Sequence, residues 1–361
     1  MRKDASIVII KSNNMKRRLL QLFPACLMLF VFYTAEAKIW RVNNNGYSAD
    51  FASLNAANND NRVRSGDTVH VEGSATGYGD ATNSKRLVIL GPGYFLLENA
   101  GNSVNSFPAN FSYITFAAGS AGSELQGISV TGEFGITANV SNILIKRCKI
   151  DYDVNLTYGI SDVRIVQNYF TTLSGNLSVI DDNEFGFPTD VVFNNNIVRR
   201  PLLLRAGYTF VECNNNVFDV PPRTNAPSLS LNAGVFRNNI LTNPSVTVNI
   251  NGGSIINVTH NISAGPNQFG VANNNIIVSS RAGLFVDQGT STDGNYQLRP
   301  GSPGSLNGSD GTDRGAFGGI SPAVRYTLSG LPPVPVIYEL TTPSVGTPSG
   351  LNITIKARTV K

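Results

Sequence analysis

The chain has 361 residues, of which 41% are hydrophobic and 14% charged, with 28 Lys and Arg against 24 Asp and Glu. That balance excludes a disordered or collagen-like chain, and three cysteines are too few for a disulfide-built miniature domain. The formal charge of +4 suggests a basic protein, but the excess is concentrated at the N-terminus.

Met15 to Ala37 has a basic start (Lys16, Arg17, Arg18), an apolar stretch and an Ala35-Glu36-Ala37 ending. This is the pattern of a secretory signal peptide cut before Lys38, with Met15 as the start and residues 1–14 upstream of it. A membrane anchor is the alternative reading. Pro24 and the short apolar run argue against it, because a span needs about 20 apolar residues. Without residues 1–37, basic and acidic residues are equal in number. No general attraction to nucleic acid then remains, and no transmembrane segment is expected in the mature chain. The expected location is extracellular, cell-surface or periplasmic.

Residues 38–100 are expected to form an N-terminal cap and the first coils. A short helix is predicted near Phe51–Ala57, and Thr68–Val71 alternates like a strand. Residues 101–140 are rich in Gly and Ser, with strand-like bursts at Tyr113–Phe116 and Ile128–Val130. Residues 141–320 carry a repeated frame in which apolar residues stand five and three places before an Asn and two places after it. It reads Val163, Ile165, Asn168, Phe170; then Val191, Phe193, Asn196, Val198; then Val211, Cys213, Asn216, Phe218. Looser copies centre on Cys148, Asn239, Asn261 and Asn275, with steps of 20, 28, 20, 23, 22 and 14 residues. Such a period with strand-like alternation marks a solenoid.

In this reading the apolar residues five and three places before the anchor and two places after it point inward. The Asn forms the bend, because it tolerates the left-handed conformation and hydrogen-bonds nearby backbone. Stacked on successive rungs, the amides can bond to one another. Asp151, Thr171, Arg199 and Asp219 all fall three places after an anchor, which sets Arg199 beside Asp219 on the next rung. Cys148 and Cys213 lie three coils apart, roughly 14 Å at about 4.8 Å per rung. That is too far for a disulfide, so two free buried thiols are expected. Residues 321–361, rich in Pro and ending in the strand-like Leu351–Ala357, form a C-terminal tail or cap.

The stretch 85–99, the coils centred on 194–196, 214–216 and 273–275, the stretch 296–319 and the tail together resemble the pectin-lyase-like superfamily. More narrowly, they are similar to secreted β-helix proteins of Bacteroidetes. The resemblance implies an all-β fold, a right-handed parallel β-helix solenoid with an N-terminal cap and a short C-terminal tail. The superfamily includes polysaccharide lyases, glycoside hydrolases, carbohydrate esterases and adhesins, so fold does not transfer function.

Within the resemblance, Arg199, Arg200 and Arg205 around Pro201 are similar to the R-x-P-x-x-R signature of pectate lyases. Arg199-x-Pro201 matches its first half. Leu204 stands at the sixth position, and Arg205 comes one residue late. The implied chemistry is β-elimination from a uronate with calcium stabilising the enolate. Asp153, Asp181, Asp182 and Glu184 are the candidate metal ligands, the last three in a loop made by the 28-residue step. The Asp181-Asp182 pair is similar to that of polygalacturonases, with no companion motif. His70 lies in the predicted first strand, and His260 takes the place of a turn Asn. Two readings remain open. One is a secreted or surface β-helix without catalysis that binds a polysaccharide or cell-surface glycan or serves in adhesion, with no cofactor. The other is a calcium-dependent lyase.

Overall fold

The computed structural model describes residues 37–99, 101, 103–171, 178–182, 187–253, 257–286, 291–343 and 350–359. Residues 1–36, most of the predicted leader, lie outside the described residues. Among those described, no helix is long and apolar enough to cross a membrane, and Lys38–Lys361 form one compact unit.

The architecture is all-β and solenoid-like. Between Val88 and Asp182 each turn of chain gives one strand to each of three parallel sheets, as in Ile143–Lys146, Lys149–Ile150 and Val154–Leu156. The next turn repeats this with Ser161–Val166, Tyr169–Phe170 and Ile180–Asp182. The first sheet begins at Ile39–Val42 and Thr68–Val71 and has 12 strands; the second has 9 and ends at Ile276–Ile277; the third has 5. The expected short helix spans Leu54–Asn59, where Ser53 caps it by accepting from Ala56 N at 3.1 Å. Pro335–Thr341 and Thr354–Thr359 form a separate antiparallel pair.

The frame's inward positions make one continuous core. Val163, Ile165, Phe170, Val191, Phe193, Val198 and Cys213 are fully buried in it. Val211 departs from the frame and is 45% exposed, while Phe210 takes the inward place. The register explains the departure. Val191 pairs with Phe210 but Val192 pairs with Glu212, so Val211 is an extra residue, a β-bulge. The following strand skips in the same place, since Phe210 pairs with Ala233 and Glu212 with Val235.

The bend also differs from expectation. The left-handed residue is the one before each anchor: Arg147 (φ 54°), Gln167 (φ 60°), Asn195 (φ 57°), Asn215 (φ 55°), Asn238 (φ 57°) and His260 (φ 54°). With the turn made one residue earlier, the anchor amide points inward. Asn168, Asn196, Asn216, Asn239 and Asn261 are fully buried. Asn168 Nδ2 donates to Asn196 Oδ1 at 3.2 Å, Asn196 to Asn216 at 3.1 Å, and Asn216 to Asn239 at 3.0 Å. The chain of amides continues from Asn239 to Asn261 at 3.0 Å and from Asn261 to Asn275 at 3.1 Å. Each second amide hydrogen goes to a backbone carbonyl, as from Asn196 to Ile165 O. A buried amide without such partners would cost about 1–3 kcal/mol.

A second apolar layer lies outside the solenoid. The residue after each anchor from Asn168 to Asn261 (Tyr169, Ile197, Val217, Ile240, Ile262) is buried against Leu284, Phe285, Tyr296, Ala316 and Tyr326. The chain beyond the last parallel strand therefore folds back over the second sheet. Residues 304–331 then return along the column of left-handed corners. Arg314 Nη1 donates to Asn261 O, Gly315 N to Asn238 O, and Asn195 Nδ2 to Ala316 O and Gly318 O. Further on, Gln167 Nε2 donates to Ala323 O and Arg147 Nη1 to Leu331 O. The close approach needs glycine at Gly318, where a Cβ would collide with Asp313 O and press on Asn215 Nδ2.

Candidate functional site

The three candidate arginines enter different surroundings. Arg199 leaves the end of the Ile197–Val198 strand beside Asp219 as expected, with Nε 3.8 Å from Oδ2. Its Nη1 donates to Tyr169 Oη at 3.2 Å. Burial alone would lower its pKa, but Tyr296, Tyr169 and Asp219 outweigh this and raise it. Asp219 is a hub. Oδ2 accepts from Tyr296 Oη at 2.6 Å, and Oδ1 accepts from Thr242 Oγ1 at 2.5 Å and lies 3.1 Å from Arg281 Nη1. The Arg281 guanidinium also covers the Tyr296 ring at 4.8 Å.

Arg200 is 2% exposed, and its Nη1 donates to Asp151 O at 2.9 Å. Burial pulls its pKa down to about 10 against the opposing effect of Asp153 and Asp151. Its Nε and Nη2 make no hydrogen bond among the described residues. Arg205 is exposed, in the turn after Leu202–Leu203. Asp151 meets its own rung neighbours, accepting from Thr171 Oγ1 at 3.0 Å and pairing with Lys149 at 2.5 Å.

Asp153 is half-buried next to the Val154–Leu156 strand. Asp181 and Asp182 are strand residues rather than loop residues, in register with Asn155 and Leu156 of the third sheet. Their side chains, and all of Glu184, lie outside the described residues. Among the described residues no group of three or more His, Cys, Asp and Glu could hold a metal ion. His70 and His260 both have pKa values lowered by burial, and His260 forms a left-handed corner, the turn position expected for it.

A different place combines a cavity with unpaired charge. The outer face of the first sheet carries two rows of side chains fixed by the parallel register. One runs Glu124, Leu144, Arg164, Val192, Glu212 and the other Gln126, Lys146, Val166, Asn194. Against it the returning segment lays Ala323 and Val324. Between them is a cavity of about 180 Å³ lined by Leu144, Lys146, Arg164, Val166, Gln167 and Asn194. Lys146 Nζ donates to Ala323 O at 3.2 Å. Burial, with repulsion from Arg147 and Arg164 outweighing Glu124, lowers this amine to about 8. Among the described residues no carboxylate lines the cavity. Glu124 accepts from Gln126 at 2.9 Å, and Glu212 accepts from Asn194 at 2.7 Å.

These residues were not singled out from sequence. The available signal was the pair of outward positions at four and two places before the anchor, which are Leu144 and Lys146 on one rung and Arg164 and Val166 on the next. Compared with family models, curated proteins and solved structures, the chain matches none.

Proposed function

We propose that the protein is an exported, non-catalytic carbohydrate-binding protein, built as a right-handed parallel β-helix of the pectin-lyase-like type, which holds a glycan along the outer face of its first sheet. One observation carries this reading. A parallel sheet presents regularly spaced polar side chains beside a cavity, and a repeating surface suits a repeating ligand. The fate of the arginine motif supports the absence of catalysis. Arg199 is spent on Tyr169 and Asp219, Arg200 is buried under Asp151 O, and Arg205 is in an exposed turn. A base for β-elimination must reach the substrate's proton, which this dispersed set does not favour.

The test is binding of the full chain to a panel of neutral, uronate-containing and sulfated polysaccharides. Ultraviolet absorbance is followed with and without calcium. The expected result is retention on at least one class with no unsaturated product. Release of unsaturated product would replace this reading with the lyase, and a blank panel would leave a structural role only.

A further inference from the structure

The cavity on the first sheet has a composition that selects among glycans. Two cations, Lys146 and Arg164, stand on adjacent rungs, since Leu144 pairs with Arg164 and Lys146 with Val166. Among the described residues neither has an ion pair, although Glu124 and Glu212 stand on the same sheet face. Lys146 uses one of its three hydrogens on Ala323 O. Placing two like charges together in a half-enclosed space is unfavourable unless an anion joins them. The pKa of Lys146 is lowered by burial first, then by Arg147, with Arg164 adding the least. Gln167 and Asn195, also lining the cavity, are held by bonds to the returning segment at Ala323 O, Ala316 O and Gly318 O. The polar floor is therefore fixed. Leu144, Val166 and Val324 give the remaining wall an apolar character.

We infer that this cavity is a binding site for one monoanionic substituent of a saccharide, a carboxylate or a sulfate ester. Lys146 and Arg164 meet the charge, and Ala323–Val324 of the returning segment form the outer wall. The inference rests on the carbohydrate-binding reading and narrows it. The site is composite, because neither the sheet nor the returning segment encloses the anion alone. Charge-assisted bonds from Lys and Arg supply the recognition, and a methyl ester or neutral sugar at the same place would leave both cations without a counter-charge from the ligand.

The experiment is calorimetric titration of the full chain with four probes: oligogalacturonate, its methyl ester, dextran sulfate and dextran. It is repeated with Lys146→Met and Arg164→Met, whose folding is checked by thermal melts. In parallel, free acetate and inorganic sulfate are titrated while the Lys146 Nζ signal is followed by NMR. The expected result is binding of an acidic probe over its neutral counterpart, weakened at least about tenfold by either substitution. Binding of oligogalacturonate alone identifies a carboxylate site, and binding of dextran sulfate alone a sulfate site. Equal binding of acidic and neutral probes, or acidic binding untouched by both substitutions, overturns the site while the carbohydrate reading stands. Failure of all four polymers with a Lys146 shift on acetate or sulfate keeps the anion site and overturns the carbohydrate reading. No polymer binding and no Lys146 shift overturn both.

Discussion

The Phe210 ring lies nearly parallel to that of Phe193 on the preceding rung, with centroids 5.4 Å apart and planes at 12°. The bulge at Val211 makes this stack, since in an unbroken alternation Val211 would point inward and Phe210 outward. The two neighbours therefore respond oppositely to truncation. Phe210→Ala should cost about 3–5 kcal/mol, whereas Val211→Ala should change stability by less than about 0.5 kcal/mol. Urea unfolding of both variants checks this, and a larger loss at Val211 would place the bulge elsewhere.

Asn216 is held on all sides. It donates to Phe193 O and Asn239 Oδ1 and accepts from the backbone and side chain of Asn196. Asn216→Ala leaves several of those groups unpaired in a dry interior, so a loss of about 2–4 kcal/mol is expected. Asn216→Asp should lose more, because a carboxylate cannot donate to Phe193 O or Asn239 and carries a buried charge. Equal stability of Asp and Asn here, measured near neutral pH, would contradict the hydrogen-bond directions.

Asp219 ties the outer layer to the rungs through Tyr296, Thr242 and Arg281. Asp219→Ala should speed amide hydrogen exchange across the described part of 281–296 more than anywhere in the second sheet. Arg199→Ala removes a partly exposed ion pair and should cost only about 1 kcal/mol or less. If Arg199→Ala proved the more damaging, the role assigned to Asp219 would be wrong.

Asp293 is buried among Asn99, Ser291, Tyr326 and the backbone of Ser329. Burial raises its pKa above the ordinary carboxylate value, outweighing these hydrogen bonds. The folded state thus holds the proton more tightly than the unfolded chain. The resulting stabilisation is complete below the unfolded pKa and is lost as pH rises through the folded one. Taking Asp293→Asn as the non-titrating reference, the wild type should lose stability relative to it between about pH 4 and pH 7. Denaturant midpoints at the two pH values supply the measurement, and a wild type that gains would reverse the sign.

Cys148 and Cys213 are free and fully buried. Burial pushes the Cys148 thiol up to about 12 and raises Cys213 well above its usual value. Both should resist a thiol-specific disulfide reagent in the native state at pH 8 and react once unfolded. Peptide mapping after timed labelling distinguishes the two states, and rapid native labelling of either would refute this burial.

The inner core was readable because its signal is local. Val163, Ile165 and Phe170 alternate within one strand-bend-strand unit, and the Asn anchors repeat it. The bend was misplaced by one residue because Asn195-Asn196 and Asn215-Asn216 offer two equivalent candidates for a left-handed position. The outer layer leaves a trace in the sequence, the apolar residue directly after every Asn anchor from Asn168 to Asn275, which a solvent-facing position would not need. Arg199 beside Asp219 followed from counting, whereas Tyr296 and Arg281 could not, because no period links them to Asp219. The Lys146 cavity depends on Ala323 and Val324, 177 residues from Lys146 in the case of Ala323, a separation no local pattern encodes.

The return of residues 304–331 along the corners has a consequence for how the chain assembles. A plain solenoid can form by adding one turn to the last, each finished before the next begins. Here Tyr94 bonds to Tyr326 across 232 residues, and Arg147 waits for Leu331. Early turns remain unclasped until the far end of the chain arrives, so the late segment acts as a fastening that joins the first coils to the last. Deleting it should turn a single cooperative unfolding transition into a graded one, in which coils melt from the ends inward.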